Sequence, residues 1–175
     1  MKFAGSLALL AALSMVSLGN AEEKKGEEKK KEIKSGLQAG DRAGAFFVTK
    51  IAGAEKDGVA TGKNLCYRCR NGARPQVMVF TRSTDKKVVA FIKSLDEAIA
   101  KNDDKQLRGF VNLLGEDKEE LTETAKKVTA DSKTKNVPFV VPNEFENGPD
   151  DYGINSKAEV TILLVKGLKV QANHS

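Results

Sequence analysis

Apolar and polar residues alternate in short blocks along this chain, and the block lengths suit the strands and helices of a single α/β domain. Residues 45–51 (AFFVTKI) are rich in β-branched and aromatic side chains and predict a first strand. A polar, glycine-containing loop over 53–63 follows. Next comes NLCYRCRNGARP, in which Asn71-Gly72 is a turn signal, so this segment reads as a hairpin. Pro75 opens a strand over 76–81 (QVMVFT), at a position where a missing N–H does least harm. That run is apolar almost throughout, as a central strand covered on both faces should be.

The pattern then changes period. Ser83 or Thr84 suits a helix N-cap, with Asp85 in the first turn. Val88, Ile92, Leu95 and Ile99 follow at helical spacing, with Phe91 widening the stripe. Residues 107–114 predict another strand, ended by Gly115. Glu116 or Asp117 opens a second helix, with Leu121, Ala125 and Val128 on one face. A strand over 137–141 (VPFVV), a turn-rich segment NEFENGPDDYGI, and strands over 159–165 and 168–172 complete the order. Lys166-Gly167 turns the last two into a hairpin. Two strand–helix–strand crossovers imply parallel pairing, and the hairpin adds antiparallel edges. The predicted architecture is α/β: a mixed central β-sheet flanked by helices, with a C-terminal β-hairpin.

Composition sets the limits of that domain. Residues 1–21 have a positive start at Lys2, an apolar core over 7–16 too short to span a bilayer, and small residues at 19–21, the pattern of a secretory signal. Residues 22–39 begin EEKKGEEKKKEIK, with one apolar residue in that thirteen-residue run, and read as a charged disordered linker. The domain then occupies 40–175. The expectation is an exported protein, periplasmic or extracellular, with no membrane contact after signal cleavage. The formal charge of +5 falls to +4 without Lys2, and the lysines are dispersed among acids. That argues against nucleic acid, which calls for clustered Arg/Lys and exposed aromatics.

The apolar strand PQVMVF running into a capped helix, the VPFVVP strand, the segment Asp150-Asp151-Tyr152-Gly153-Ile154 and the hairpin VTILLVKGLKVQA together resemble the thioredoxin-like superfamily, in particular its redoxin branch, which contains the peroxiredoxins. The resemblance spans roughly residues 40–172. It implies a reactive cysteine just after the central strand, where a helix N-terminus lowers its pKa. Thr81-Arg82-Ser83-Thr84-Asp85 stands there instead, with no Cys, so conventional peroxidase activity at that place is excluded. Ser83 is no substitute nucleophile, since it needs a partner base and the chain's one His is His174, next to its end. On the redoxin threading the place of the superfamily's cis-proline falls near Ser156-Lys157-Ala158, where there is no proline. A plain thioredoxin threading would put Pro138 there but leaves residues 142–157 without a place, so the redoxin threading is preferred.

Thiol chemistry therefore rests on Cys66 and Cys69, the chain's two cysteines. Arg68 and Arg70 beside them favour thiolate. Three readings stay open: a redox-active disulfide exchanging with a protein dithiol or disulfide partner, a structural link or inert pair, and a metal clip. By analogy with CxxC motifs generally, Cys66 is the attacker. In an extended strand the two Cα atoms would lie about 10 Å apart at roughly 3.3 Å per residue. A disulfide needs them within about 7 Å, so bonding requires a turn. The pair precedes the central strand, so the resemblance implies the opposite end of the sheet from the usual site, without the usual helix dipole. Two thiolates are half of a structural zinc shell, for which His174 would have to fold back.

No phosphate-binding loop or haem-attachment motif is present, and no cofactor is expected. Glu144, Glu146, Asp150 and Asp151 lack calcium-loop spacing and read as a solvated acidic loop. The remaining function class is a non-catalytic binding or structural domain that keeps the fold.

Overall fold

The structure, a computed structural model, describes residues 33–175. The expected signal segment and most of the charged tail lie outside the described residues. Seven strands form one sheet in the order β2-β1-β5-β4-β3-β6-β7. These are β1 (Val48–Gly53), β2 (Asn64–Leu65), β3 (Gln76–Thr81), β4 (Arg108–Leu113), β5 (Pro138–Pro142), β6 (Val160–Lys166) and β7 (Lys169–His174). The helices are α1 (Tyr67–Asn71), α2 (Lys86–Lys101) and α3 (Lys118–Ser132), and Asp150–Tyr152 is a 3₁₀ turn.

β3, β4 and β5 are parallel neighbours; β1, β2, β6 and β7 pair antiparallel. The two crossovers, through α2 and α3, step across the sheet in the same direction. Right-handed connections therefore put both long helices on one face. Val79, Val111 and Phe139 meet Ile92, Leu95, Leu121 and Val128 there. The other face has no long helix. Met78, Phe80, Phe110 and Leu163 are covered by Phe46, Tyr67 and Tyr152, from loops, α1 and the 3₁₀ turn. Successive residues of β3 thus enter opposite cores, so both kinds of position had to be apolar.

Several boundaries differ from the sequence expectation. The Cys segment is not a hairpin: after the two-residue β2, Cys66 caps the short helix α1, which Gly72 ends at φ 61°. A side-chain cap at one end and a glycine at positive φ at the other close this single helical turn. The first strand starts at Val48, not residue 45; Phe47 is 54% exposed, and its carbonyl accepts from Asn143 N–H outside the regular ladder. Asp85, not Ser83 or Thr84, caps α2, its Oδ1 accepting from Val88 N–H at 2.8 Å. Asp117 caps α3, as expected.

The ordered body also begins before Gly40. Ser35 is buried and shares a 2.5 Å hydrogen bond with Thr161, and Asn173 Nδ2 donates to the carbonyls of Ser35 and Leu37 at 2.7 Å each. Among the described residues no helix is long and apolar enough to cross a membrane.

Candidate functional site

Cys66 and Cys69 are joined by a disulfide, and α1 supplies the turn that their spacing demands. The helical turn brings their Cα atoms to 5.2 Å. Cys66 Sγ accepts a hydrogen bond from Cys69 N–H at 3.0 Å, a contact a thiolate would strengthen. The resemblance implied no helix terminus at this pair, whereas Cys66 stands at the N-cap of α1, a single short turn. Cys66, the expected attacker, is the buried member at 8% exposure, whereas Cys69 is exposed.

The residues between and after the cysteines tie α1 to the body. Tyr67 lies on Phe110 with ring centroids 5.6 Å apart, and its hydroxyl donates to Asp57 Oδ2 at 2.6 Å. Burial, and then this bond to a carboxylate, hold the Tyr67 phenol far above its ordinary range. Asp57 Oδ1 accepts from Lys50 Nζ and from Val59 N–H, each at 2.8 Å. Lys50 is 2% exposed, and its ammonium also donates to the carbonyls of Ala54 and Val59 at 2.9 and 2.8 Å. Arg68, also buried, donates from Nη2 to the Ala43 carbonyl, while its Nε has no partner among the described residues. Arg70 donates to the Asp57 carbonyl at 2.8 Å. This clamp was missed in the sequence. Its one signal was Lys50 at two residues from Val48 in β1, hence on the same inward face.

The pair does not enter at the far end of the sheet that the resemblance implied. β2, which leads into Cys66, pairs Leu65 with Val48, and Val48 pairs with Pro142, the last residue of β5, so the chain reaches Cys66 level with the carboxyl ends of the parallel strands. The position expected for a redoxin cysteine is a second place, just after β3. At that second place Thr81 Oγ1 donates to the Ser83 carbonyl at 2.7 Å, and Ser83 Oγ accepts from Asp85 N–H at 3.2 Å. These are turn-forming bonds. Arg82 Nη1 and Nη2 reach the Glu146 carbonyl and Asn147 Oδ1 at 2.5 and 3.1 Å, and burial lowers the guanidinium's pKa. His174 pairs with Ile162 on β7, two strands away from β3, so the register does not bring it beside Ser83. Among the described residues no group of three or more His, Cys, Asp or Glu side chains is placed to hold a metal ion, and both sulfurs are engaged with each other.

No family profile matches the chain, and a search of the curated proteins finds no match. Solved structures do match. A Chlorobium tepidum protein provisionally described as the thiol:disulfide interchange protein DsbE aligns at 20% identity and TM-score 0.58, over 79% of this chain and 85% of that one. A Bacteroides thetaiotaomicron protein provisionally described as a protein disulfide isomerase aligns at 13% identity and TM-score 0.59, over 81% and 82%. The fold is thioredoxin-like, of redoxin type. A yeast mitochondrial 1-Cys peroxiredoxin shares this thioredoxin-like fold at 11% identity and TM-score 0.53, over 79% of this chain and 67% of that one. In the last segment before the hairpin Tyr152 is buried, donates to the Gly44 carbonyl at 2.8 Å, and leads into Gly153 at φ 60°.

Proposed function

We propose that this protein is exported and exchanges its Cys66–Cys69 disulfide with a protein dithiol partner, the attack falling on Cys69. The observation that carries this reading is the asymmetry of the pair: one exposed cysteine, and one buried cysteine whose sulfur already accepts a backbone N–H. A partner thiolate attacks Cys69 Sγ. The Cys66–Cys69 bond breaks, and its electron pair leaves on Cys66 Sγ, held by the Cys69 N–H and later protonated. The partner's second thiolate then attacks its own sulfur in the mixed disulfide and releases Cys69 as thiolate. The partner ends as a disulfide and this chain as a dithiol, two electrons having moved; the reverse sequence reoxidises it. Matching folds in proteins described as acting in thiol–disulfide interchange support the reading. The order of roles is the reverse of the Cys66-first expectation.

Cys66→Ser leaves Cys69 as a lone exposed thiol and is expected to form a mixed disulfide with an added dithiol or aromatic disulfide reagent. Cys69→Ser leaves a buried thiol and is expected to react at least about tenfold more slowly. Equal rates would remove the assigned order, and two unreactive thiols would remove the exchange role. A second reading, the pair as a structural staple in a non-catalytic domain, draws on the Tyr67, Arg68 and Arg70 anchors, which hold α1 in place. Export is tested by N-terminal sequencing of the protein recovered outside the cytoplasm, expected to begin at Glu22.

A further inference from the structure

Next to α1, at the starts of β4 and β5, the surface sinks into a cavity of about 760 Å³. That volume falls in the usual range of small-molecule sites, roughly 300–1,000 Å³. Its floor includes Ile99 and Pro138, and its rim carries Lys56, Arg70, Arg74, Arg108 and Lys135. The rim cations come from different places: the β1–β2 loop, α1, the α1–β3 loop, β4 and the α3–β5 loop.

Two acids line the same cavity, and neither cancels this charge. Asp57 is neutralised by the buried Lys50 at 2.8 Å and further engaged by Tyr67, and Asp103 pairs with Arg108 at 3.2 Å. Among the described residues Lys56, Arg70, Arg74 and Lys135 make no salt bridge. Four like charges converging on one concavity repel each other, and a structural role would call for acidic partners between them. Guanidinium forks set against ammonium groups over a partly apolar floor match a compact anion with more than one charge. The recess is concave and local, not a stripe along the surface, and the exposed aromatics that single-stranded nucleic acid requires are missing from its lining.

We propose that this cavity binds a small, multiply charged anion bearing phosphate or carboxylate groups. This site is independent of thiol exchange and stands whether or not the disulfide turns over. The probes are inorganic pyrophosphate and citrate, titrated calorimetrically into the purified full chain at 0.15 M salt. Binding of pyrophosphate alone, of citrate alone, or of both supports the proposal and identifies the anionic group preferred. Affinity is expected to fall as salt is raised. Arg74→Ala/Lys135→Ala, both exposed positions, should weaken binding at least about tenfold. Lys86→Ala/Lys87→Ala removes the same charge from α2, outside the cavity, and should change it less than about twofold. With the unmodified chain, amide NMR shifts on titration should cluster at residues 56, 70, 74, 108 and 135. No binding of either probe, an unweakened Arg74→Ala/Lys135→Ala variant, equal weakening by both pairs, or shifts spread over the surface would each overturn it.

Discussion

Lys50→Met tests the clamp beneath α1 most severely, because one ammonium holds three groups at once. Lys50 is 2% exposed and donates to Asp57 Oδ1 and to the carbonyls of Ala54 and Val59, at 2.8 to 2.9 Å. Removing one partner of a buried ion pair costs about 3–5 kcal/mol. Asp57 keeps the Val59 N–H and the Tyr67 hydroxyl, and its side chain is 19% exposed, which argues for the lower end. The two abandoned carbonyls add about 1 kcal/mol each, and the buried methionine returns a similar amount through its apolar surface. The net expectation is a loss of about 3 kcal/mol, or about 10 °C in Tm for a domain of this size. Urea unfolding of the oxidised chain reads it directly: the midpoint should fall with little change in slope. The double variant Lys50→Met/Asp57→Asn should lose clearly less than the two single losses together, since the second change discharges the orphaned carboxylate. A loss below about 1 kcal/mol, or simple additivity, would show that the ion pair does not hold this loop.

Other outcomes follow from the same contacts. Asp96 is buried, and its Oδ1 accepts from the backbone N–H groups of Lys135, Asn136 and Val137 at 2.9, 2.6 and 3.0 Å. Asp96→Ala strands those donors ahead of β5 and should cost about 3 kcal/mol in the same urea assay. The chain's two tyrosines, Tyr67 and Tyr152, are both held above their ordinary pKa, first by burial. They stay protonated in the folded protein while the unfolded chain ionises near pH 10, so stability is full below about pH 10 and falls as pH rises above it. Phenolate absorbance at 295 nm should therefore be absent from the folded protein at about pH 11 and appear only on unfolding; an ordinary titration near pH 10 with the fold intact would contradict the burial. The disulfide closes a ring of only four residues, Cys66 to Cys69, for which chain entropy gives about 2 kcal/mol. Reduction should leave a folded protein, checked by circular dichroism before and after dithiothreitol. Ser83→Ala should leave disulfide exchange unchanged, because Ser83 only closes the turn into α2.

What could be read from the sequence followed from burial on both faces and from long periodic runs. β3, flanked by β4 and β6, sits where its unbroken apolar run placed it, and the stripe from Val88 to Ile99 predicted α2 because each of those residues enters one core. The C-terminal hairpin was also legible: Gly167 and Leu168 take φ 59° and 68°, as a two-residue loop of twist-matched type requires. α1 was not, since five residues give no period and Cys66 is an unusual side-chain cap. At the start of α2, Ser83, Thr84 and Asp85 are all competent caps, and only the backbone path selects Asp85. Phe46 and Phe47 have strand propensity, yet no neighbouring strand extends to pair with them. The Cys pair was visible as a candidate, but which cysteine is exposed depends on how Tyr67 and Arg68 anchor the turn, and that is a tertiary fact.

Whether Cys66 and Cys69 form an exchangeable disulfide is read by a redox titration of the purified chain, with alkylated thiols counted by mass spectrometry. Reversible two-electron reduction is expected within the range of thiol–disulfide oxidoreductases, about −120 to −270 mV. A pair that stays oxidised below about −300 mV would contradict it and leave the disulfide as a staple in a thioredoxin-like scaffold.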